Sequence, residues 1–227
     1  MAFGAIVSDP AGNPFYIDGT LPLRLVNKVT KSVDGSTFVP VHKTDNVMRF
    51  IFCEISATGT GSDNAYVYYE KLFNTDDWGI TAGYYSPNGP GLVTVYVFEY
   101  QYETVIPKWG VAFWDSAGRC VLTNETKVLR GVTAFGVEGQ DSAGYNINTT
   151  LNGRWAVLPV STGIITGVIN SGGTRPFMST FYANAYYNGS TTRISSGGTG
   201  GYPGGGVSNV TYTNAKNRIM AIDVSMY

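Results

Sequence analysis

The sequence predicts an all-β protein made of two tandem antiparallel β-sandwich domains of the immunoglobulin-like type. Short apolar or alternating runs recur every ten to fifteen residues and are separated by turn residues, which is typical of antiparallel strands. No apolar stripe with the 3.6-residue period of a helix is longer than two turns. A segment near residue 4 also returns near residue 110, which indicates that one module was copied.

The repeat is an ungapped match between residues 4–24 and 110–130, which agree at seven of 21 positions. Unrelated segments would share about one or two residues at ordinary frequencies. We therefore predict two domains of common size, residues 1–106 and residues 107–227, with the second a duplicate of the first. The identical pairs are Gly4/Gly110, Asp9/Asp115, Ala11/Ala117, Gly12/Gly118, Thr20/Thr126, Leu23/Leu129 and Arg24/Arg130.

Each copy of the repeat is expected to begin with a β-hairpin. In residues 9–12 and 115–118 an Asp opens the turn, where its side chain can accept hydrogen bonds from the backbone, and a Gly closes it. Glycine at that position can take a positive φ and form the bulge that adapts the turn to the twist of the strands.

Further strands follow from the alternating runs, with turn clusters such as residues 86–91 between them. In the first half they are predicted at 21–29, 47–55, 65–73, 79–85 and 93–100. In the second half they are predicted at 111–122, 128–137, 155–160, 164–169, 177–187 and 218–224.

Composition and charge exclude several classes of function. Fifteen basic and 16 acidic residues without a basic cluster argue against a nucleic-acid surface. No apolar run approaches the 18 residues that a membrane span needs, and residues 1–7 do not resemble a signal peptide. We expect neither membrane insertion nor secretion. Cys53 and Cys120 are expected to be buried thiols without a disulfide.

Catalytic chemistry is poorly represented. The single histidine, His42, is predicted to be a loop residue, and no Cys or His pair has the spacing of a zinc site. No glycine-rich segment ends in the Lys-Ser/Thr of a phosphate loop. The sequence therefore predicts no enzyme, no catalytic residue, no metal and no cofactor. The alternative of a glycan-cleaving enzyme needs only two carboxylates, and its candidates are Asp76, Asp77, Glu99 and Glu103.

Sixteen tyrosines suggest a recognition surface, because an exposed tyrosine combines a flat apolar ring with a hydroxyl. The glycine-rich residues 195–206 are expected to form a surface loop, either a plain hairpin connection or a recognition loop. Some of the tyrosines can equally belong to the core. The predicted binding residues are Tyr84, Tyr85, Tyr186, Tyr187 and Tyr202.

The opening Gly-x-x-x-x-Asp-x-Ala-Gly hairpin, followed by Leu23-Arg24 and again by Leu129-Arg130, resembles the start of small proteins encoded beside the tail-tip and tail-fibre genes of long-tailed bacteriophages. The resemblance covers about 25 residues of each half. It implies a virion protein of the tail end of a siphophage-like particle. The chain departs from fibre shafts in having no collagen-like or β-helical repeat.

This resemblance implies a structural protein of the tail tip or tail fibre that mediates assembly and, by extension, host attachment. Its partners would be other tail proteins, further copies of the chain in a symmetric oligomer, and a host glycan or receptor. It would be assembled in the host cytoplasm and reside in the virion. The alternative function is a carbohydrate-binding module or lectin that uses tyrosines on loops.

Overall fold

The computed structural model describes residues 20–57, 65–85, 89–170, 173–199 and 206–227. These residues form strands and one short 3-10 helix, Gly144–Asn146, without an α-helix, so the all-β prediction is confirmed. The strands are β1 (Leu23–Val33), β2 (Gly35–Lys43), β3 (Arg49–Ser56), β4 (Tyr66–Lys71), β5 (Asp77–Tyr84), β6 (Gly91–Tyr100), β7 (Ala112–Trp114), β8 (Cys120–Thr123), β9 (Thr133–Phe135), β10 (Thr149–Asn152), β11 (Trp155–Val157), β12 (Ser161–Ile169), β13 (Arg175–Tyr187), β14 (Thr191–Gly198), β15 (Val207–Asn214) and β16 (Ile219–Asp223).

Eleven strands form one curled and branched sheet. Its main path runs β10-β14-β13-β3-β11-β16-β9, while β6 and β1 extend it from β3, and β12 and β15 extend it from β13. The pairs are antiparallel except where the end of β13 runs parallel to the end of β3. Alternation along β3 places Ile51, Cys53 and Ile55 on one face, and Phe52 and Glu54 on the other.

Strands from both halves of the chain belong to this sheet. Strand β3 of the first half pairs with β6 of its own half and with β11 and β13 of the second half. Residues from both halves also share one hydrophobic core. Two separate immunoglobulin-like sandwiches are therefore not confirmed, and the division into residues 1–106 and 107–227 stays a prediction.

A second, smaller sheet of three strands, in the order β2-β5-β4, covers one face of the large sheet. Its inward residues Val39, Val67 and Ile80 are fully buried in the same core as Cys53 and Ile55. This layer of side chains joins the two sheets into one sandwich. On the other face of β4, Tyr68 stacks on Tyr182 of the large sheet, with ring centroids 4.7 Å apart.

The opposite face of the large sheet carries a second apolar cluster around Phe52, Tyr96 and Phe98. Tyr227 closes it: its ring meets Phe98 edge-on at 5.1 Å, and its hydroxyl donates to the carbonyl oxygen of Val128 over 2.8 Å. The last residues of the described chain therefore pack as part of the core.

The predicted hairpin of the second copy is confirmed. Strands β7 and β8 pair across a turn in which the Gly118 amide donates to the Asp115 carbonyl over 3.0 Å. The Asp115 carboxylate accepts from the amides of Ala117 and Arg119, and Gly118 has a φ of +76°. The register shifts at Phe113/Trp114, as expected for a bulge. The first copy, residues 4–12, lies outside the described residues.

The glycine-rich segment departs from its prediction. Residues 195–198 are not a loop but the end of β14, and Gly197 lies so close to β4 that a Cβ atom would be 1.9 Å from the carbonyl oxygen of Ala65. Glycine is needed there because two strands approach closely, and the backbone approach holds the segment in place. Residues 200–205 lie outside the described chain.

Four strands are absent from the sequence prediction: β2, β10, β14 and β15.

Cys53 and Cys120 are both buried and unpaired, as predicted. None of the described residues belongs to a helix with the length and hydrophobicity that crossing a membrane requires.

Candidate functional site

An open cleft of about 450 Å³ lies where the small sheet extends beyond the large one. The ends of β2, β4 and β5 form one wall, and the start of β3 with the chain after β11 forms the other. We call it the aromatic cleft. Its lining residues include His42, Thr44, Asp45, Val47, Arg49, Tyr69, Trp78, Leu158 and Pro159.

The three rings of the cleft continue the core-facing side of the small sheet. Tyr69 is two residues beyond Val67, and Trp78 is two residues before Ile80, so each shares the face of a fully buried neighbour. A bulge between Pro40 and His42 shifts the register of β2 and places His42 directly opposite Trp78. At this end no strand of the large sheet covers the rings completely, and Tyr69 is 38% exposed.

The rings of His42, Tyr69 and Trp78 form a stacked group with nearly parallel planes. Their planes are inclined by 5° to 21° to one another, and the three centroid separations are 5.3, 6.1 and 6.5 Å. A single column of rings would place its outer members at about twice the spacing of neighbours, so three similar separations indicate offset parallel plates. Such a group offers more area for contact than one ring does.

Hydrogen bonds hold His42 and Tyr69 in this arrangement. The Nδ1 atom of His42 lies 2.5 Å from the carbonyl oxygen of Lys43, which can only accept, so Nδ1 carries the hydrogen. In the neutral ring, Nε2 then accepts from the Tyr69 hydroxyl, also at 2.5 Å. The oxygen of Tyr69 keeps its own capacity to accept a hydrogen bond.

Trp78 is fixed by the loop that follows β2. Its Nε1 atom donates to the hydroxyl oxygen of Thr44 over 3.0 Å, and the amide of Thr44 donates to the carbonyl oxygen of Asp76 over 2.9 Å. The indole therefore has a defined orientation, which lowers the entropy lost when a ligand stacks on it.

A charged group stands beside the rings. Arg49 donates from Nη1 and Nη2 to the two oxygens of Asp45 over 2.6 and 2.7 Å, and from Nε to Glu99 over 2.6 Å. The hydrogen bond from Arg49 lowers the pKa of Asp45 to about 2, and the Asp45 carboxylate raises the pKa of the Arg49 guanidinium above its ordinary value. The site thus combines stacked aromatic rings with fixed, ionised polar groups.

No protein-family model, curated protein or solved structure matches the chain. Among the described residues, no group of three or more His, Cys, Asp or Glu side chains is arranged to hold a metal ion.

The predicted binding tyrosines that the structure describes lie apart from the aromatic cleft. Tyr84 and Tyr186 are buried in the core, at 1% and 3% exposure, and stack on each other with centroids 6.0 Å apart. Tyr85 is exposed. Tyr202 lies outside the described residues.

Tyr187 lines a different, smaller cleft of about 280 Å³ together with Leu92 and Asn188. The Arg154 guanidinium lies over the ring of Tyr187 at 5.4 Å, and the Tyr187 hydroxyl donates to the carbonyl oxygen of Gly189. A predicted binding tyrosine therefore lines a concave surface here.

The candidate carboxylates are held in ion pairs. Asp77 lies 2.6 Å from the Lys43 ammonium, Asp76 lies 3.6 Å from that of Lys71, and Glu103 lies 3.2 Å from Arg24. The Glu99 side chain is largely buried and lies 2.6 Å from Nε of Arg49.

Sequence reasoning missed His42 and Trp78. His42 is in strand β2 and not in a loop, because the chain from Gly35 pairs with β5 as far as Lys43. The signal that was available is the two-residue spacing of Trp78 and Tyr69 from buried strand residues. That spacing places aromatic rings at the end of a core-facing stripe.

Proposed function

We propose that this protein is a recognition protein that binds a saccharide in the aromatic cleft. The observation that carries the proposal is the group of nearly parallel rings of His42, Tyr69 and Trp78 in an open cleft, bordered by ionised Asp45 and Arg49. A pyranose ring presents one face of C–H groups and a rim of hydroxyls, so it requires an apolar plate with polar groups at its edge. The cleft supplies both.

The dimensions of the cleft support a small ligand. Its volume of about 450 Å³ is within the common range for ligand pockets. Because the cleft is open on one side, only part of the surface of a bound sugar would be removed from water. We therefore expect a dissociation constant on the order of 1 mM for a monosaccharide. Several copies of the protein on one surface would raise that affinity by avidity.

A glycan array with fluorescently labelled protein tests the proposal, with Trp78→Ala as the loss variant. Tyr100→Ala is the control, because Tyr100 is an exposed aromatic residue of the same chain that does not line the cleft. We expect wild type and Tyr100→Ala to bind the same glycans and Trp78→Ala to bind at least about tenfold more weakly. Both variants are checked for folding by thermal unfolding. An array without binding, or equal binding by all three proteins, contradicts the proposal.

A second candidate function is that of a structural protein at the tail end of a bacteriophage, which rests on the resemblance of the repeated hairpin. The observation that favours it is an exposed apolar strip around strand β7, a kind of surface that marks protein interfaces. The residues of the strip are Val105, Ile106, Trp109, Val111 and Trp114, with Trp109 81% exposed. Lys108 is the one charged residue between them, so a further copy of the chain meets little charge repulsion there.

Light scattering after size-exclusion chromatography tests this second candidate. We expect a symmetric oligomer of the wild type that dissociates in Trp109→Ser, whose change touches no buried group. A wild-type monomer that binds no tail protein in pull-down experiments would count against it. The two functions are compatible, since a tail-end protein that binds glycans would attach a virion to its host.

A further inference from the structure

Most hydrogen-bond donors of the aromatic cleft are engaged by protein oxygens or nitrogens. Arg49 has five N–H groups: Nε donates to Glu99, Nη1 to Asp45 and Val47, and Nη2 to Asp45, which leaves one N–H of Nη2. The other side-chain donors are occupied: Tyr69 donates to His42, the ring of His42 to Lys43, Trp78 to Thr44 and Thr44 to Asp76. A ligand that brings only acceptors would find one remaining donor here, on a guanidinium that already faces two carboxylates.

Acceptors, in contrast, remain available. A carboxylate offers about four lone-pair positions. The Oδ2 atom of Asp45 receives one hydrogen bond from Arg49, and 36% of the Asp45 side chain is exposed. The oxygens of Tyr69 and Thr44 also keep a lone pair beyond the bonds already described. The cleft is therefore built to receive hydroxyl donors.

The charge around the cleft is negative. Arg49 faces two carboxylates, Asp45 and Glu99, and so brings no net positive charge to the site. The nearby Lys43 ammonium lies 2.6 Å from Asp77 and is mostly in solvent. Among the residues that line the cleft, Arg49 is the one Lys or Arg side chain. Since the pKa of Asp45 is lowered to about 2, its charge persists throughout the neutral and mildly acidic range.

We infer that the aromatic cleft selects an uncharged pyranose, whose hydroxyls donate to Asp45, and rejects the corresponding uronic acid. The inference rests on the proposed saccharide function and extends it by fixing the charge class of the ligand. Stacking on Trp78 and Tyr69 is equally available to neutral and acidic sugars, so the discrimination comes from the polar groups alone. A sugar carboxylate would meet the like charge of Asp45 and one N–H of a guanidinium already neutralised by two carboxylates.

Matched pairs of glycosides test the inference in solution. Methyl β-glucoside and methyl β-glucuronide form one pair, and methyl β-galactoside and its galacturonide form another, each measured by saturation-transfer NMR at low ionic strength. We expect the neutral member of the better-binding pair to bind about tenfold more tightly than its acid. Equal or tighter binding of the acid overturns the charge selectivity while leaving the proposed function intact. Choline, a quaternary ammonium cation, serves as a further probe. Tighter binding of choline than of every sugar also overturns the charge selectivity.

Asp45→Asn provides the sharper test, because it preserves the shape of the side chain and releases one Arg49 donor from an anionic partner. We expect this variant to gain uronide affinity by about tenfold relative to the wild type. Asp76→Asn changes the net charge equally, but Asp76 does not line the cleft, and its uronide binding should stay at the wild-type level. Unchanged uronide binding by Asp45→Asn overturns the inference. If no sugar binds to any of these proteins, the proposed function is overturned and the inference with it.

Discussion

The aromatic rings of Tyr69 and Trp78 lie nearly parallel, inclined by 21° with centroids 5.3 Å apart, although the two residues are on different strands of the small sheet. Each is two residues from a core residue of its own strand, Val67 and Ile80. The parallel arrangement of the two rings therefore follows from strand alternation, which continues past the last fully buried residues of β4 and β5. A pattern that elsewhere fills a core here leaves an open aromatic surface.

The hydroxyl of Tyr69 is expected to matter less for binding than its ring. Tyr69→Phe removes the hydrogen bond to His42 but keeps the aromatic ring, so we expect a loss of about 1 kcal/mol in the free energy of unfolding. Sugar binding should weaken by less than about tenfold. Urea denaturation and NMR titration measure the two effects. Tyr100→Phe, an exposed tyrosine outside the cleft, is the control, and an equal effect there would refute the assignment.

Gly197 is expected to tolerate no side chain. In Gly197→Ala the new Cβ would meet the backbone of Ala65 at 1.9 Å, so β4 and β14 must separate, and we expect a loss of about 3 kcal/mol or more in stability. Gly167→Ala is the control, because there the nearest atom belongs to the ring of Phe177, a side chain that can move. Similar melting temperatures for both variants would contradict the close approach of the two strands.

The buried carboxyl of Glu54 is expected to give the protein a distinctive pH dependence. Burial raises the pKa of Glu54 above its ordinary value of 4.5, although Arg154 and Tyr96 both hydrogen-bond to Oε1. A raised pKa in the folded state adds stability that is fully present below pH 4.5 and is lost as the pH rises through the folded pKa. The loss proceeds at no more than about 1.4 kcal/mol per pH unit.

Glu54→Gln removes this titration. Urea denaturation of both proteins between pH 4 and 8 should show the wild type losing stability relative to the variant as the pH rises. A stability difference between the two proteins that stays constant with pH would show that Glu54 is ionised in the folded state as readily as in the unfolded one. A difference that changes in the opposite direction would show that Glu54 is ionised more readily in the folded state.

Local signals in the sequence were sufficient for some parts of the fold. The hairpin at Asp115 follows from the side-chain and backbone bonds of five adjacent residues, 115–119, so its turn could be predicted from sequence. Strand β14 could not, because Gly197 is explained by Ala65, which is more than a hundred positions away. Propensity treats such a glycine as part of a loop, whereas the contact makes it necessary in a strand.

Equivalent residues in the two copies of the repeat have different surroundings. Arg24 and Arg130 are equivalent in the aligned segments, yet Arg24 is largely buried in an ion pair with Glu103, whereas the Nε atom of Arg130 donates to the sulfur of Met226 at the surface. The two segments lie side by side, since the Leu129 amide donates to the Leu23 carbonyl over 2.8 Å. The cleft was missed for the same reason: it joins residues of β2, β3, β4 and β5 that only the sheet brings together.

The most direct test of the account is an NMR titration that follows the four tryptophan indole N–H signals, assigned by single Trp→Phe variants, while a neutral methyl glycoside is added. The account predicts that the Trp78 signal shifts with saturation, whereas those of Trp109, Trp114 and Trp155 stay in place. Saturable shifts at the other indoles with Trp78 unmoved, or no shift with any neutral glycoside, would contradict it.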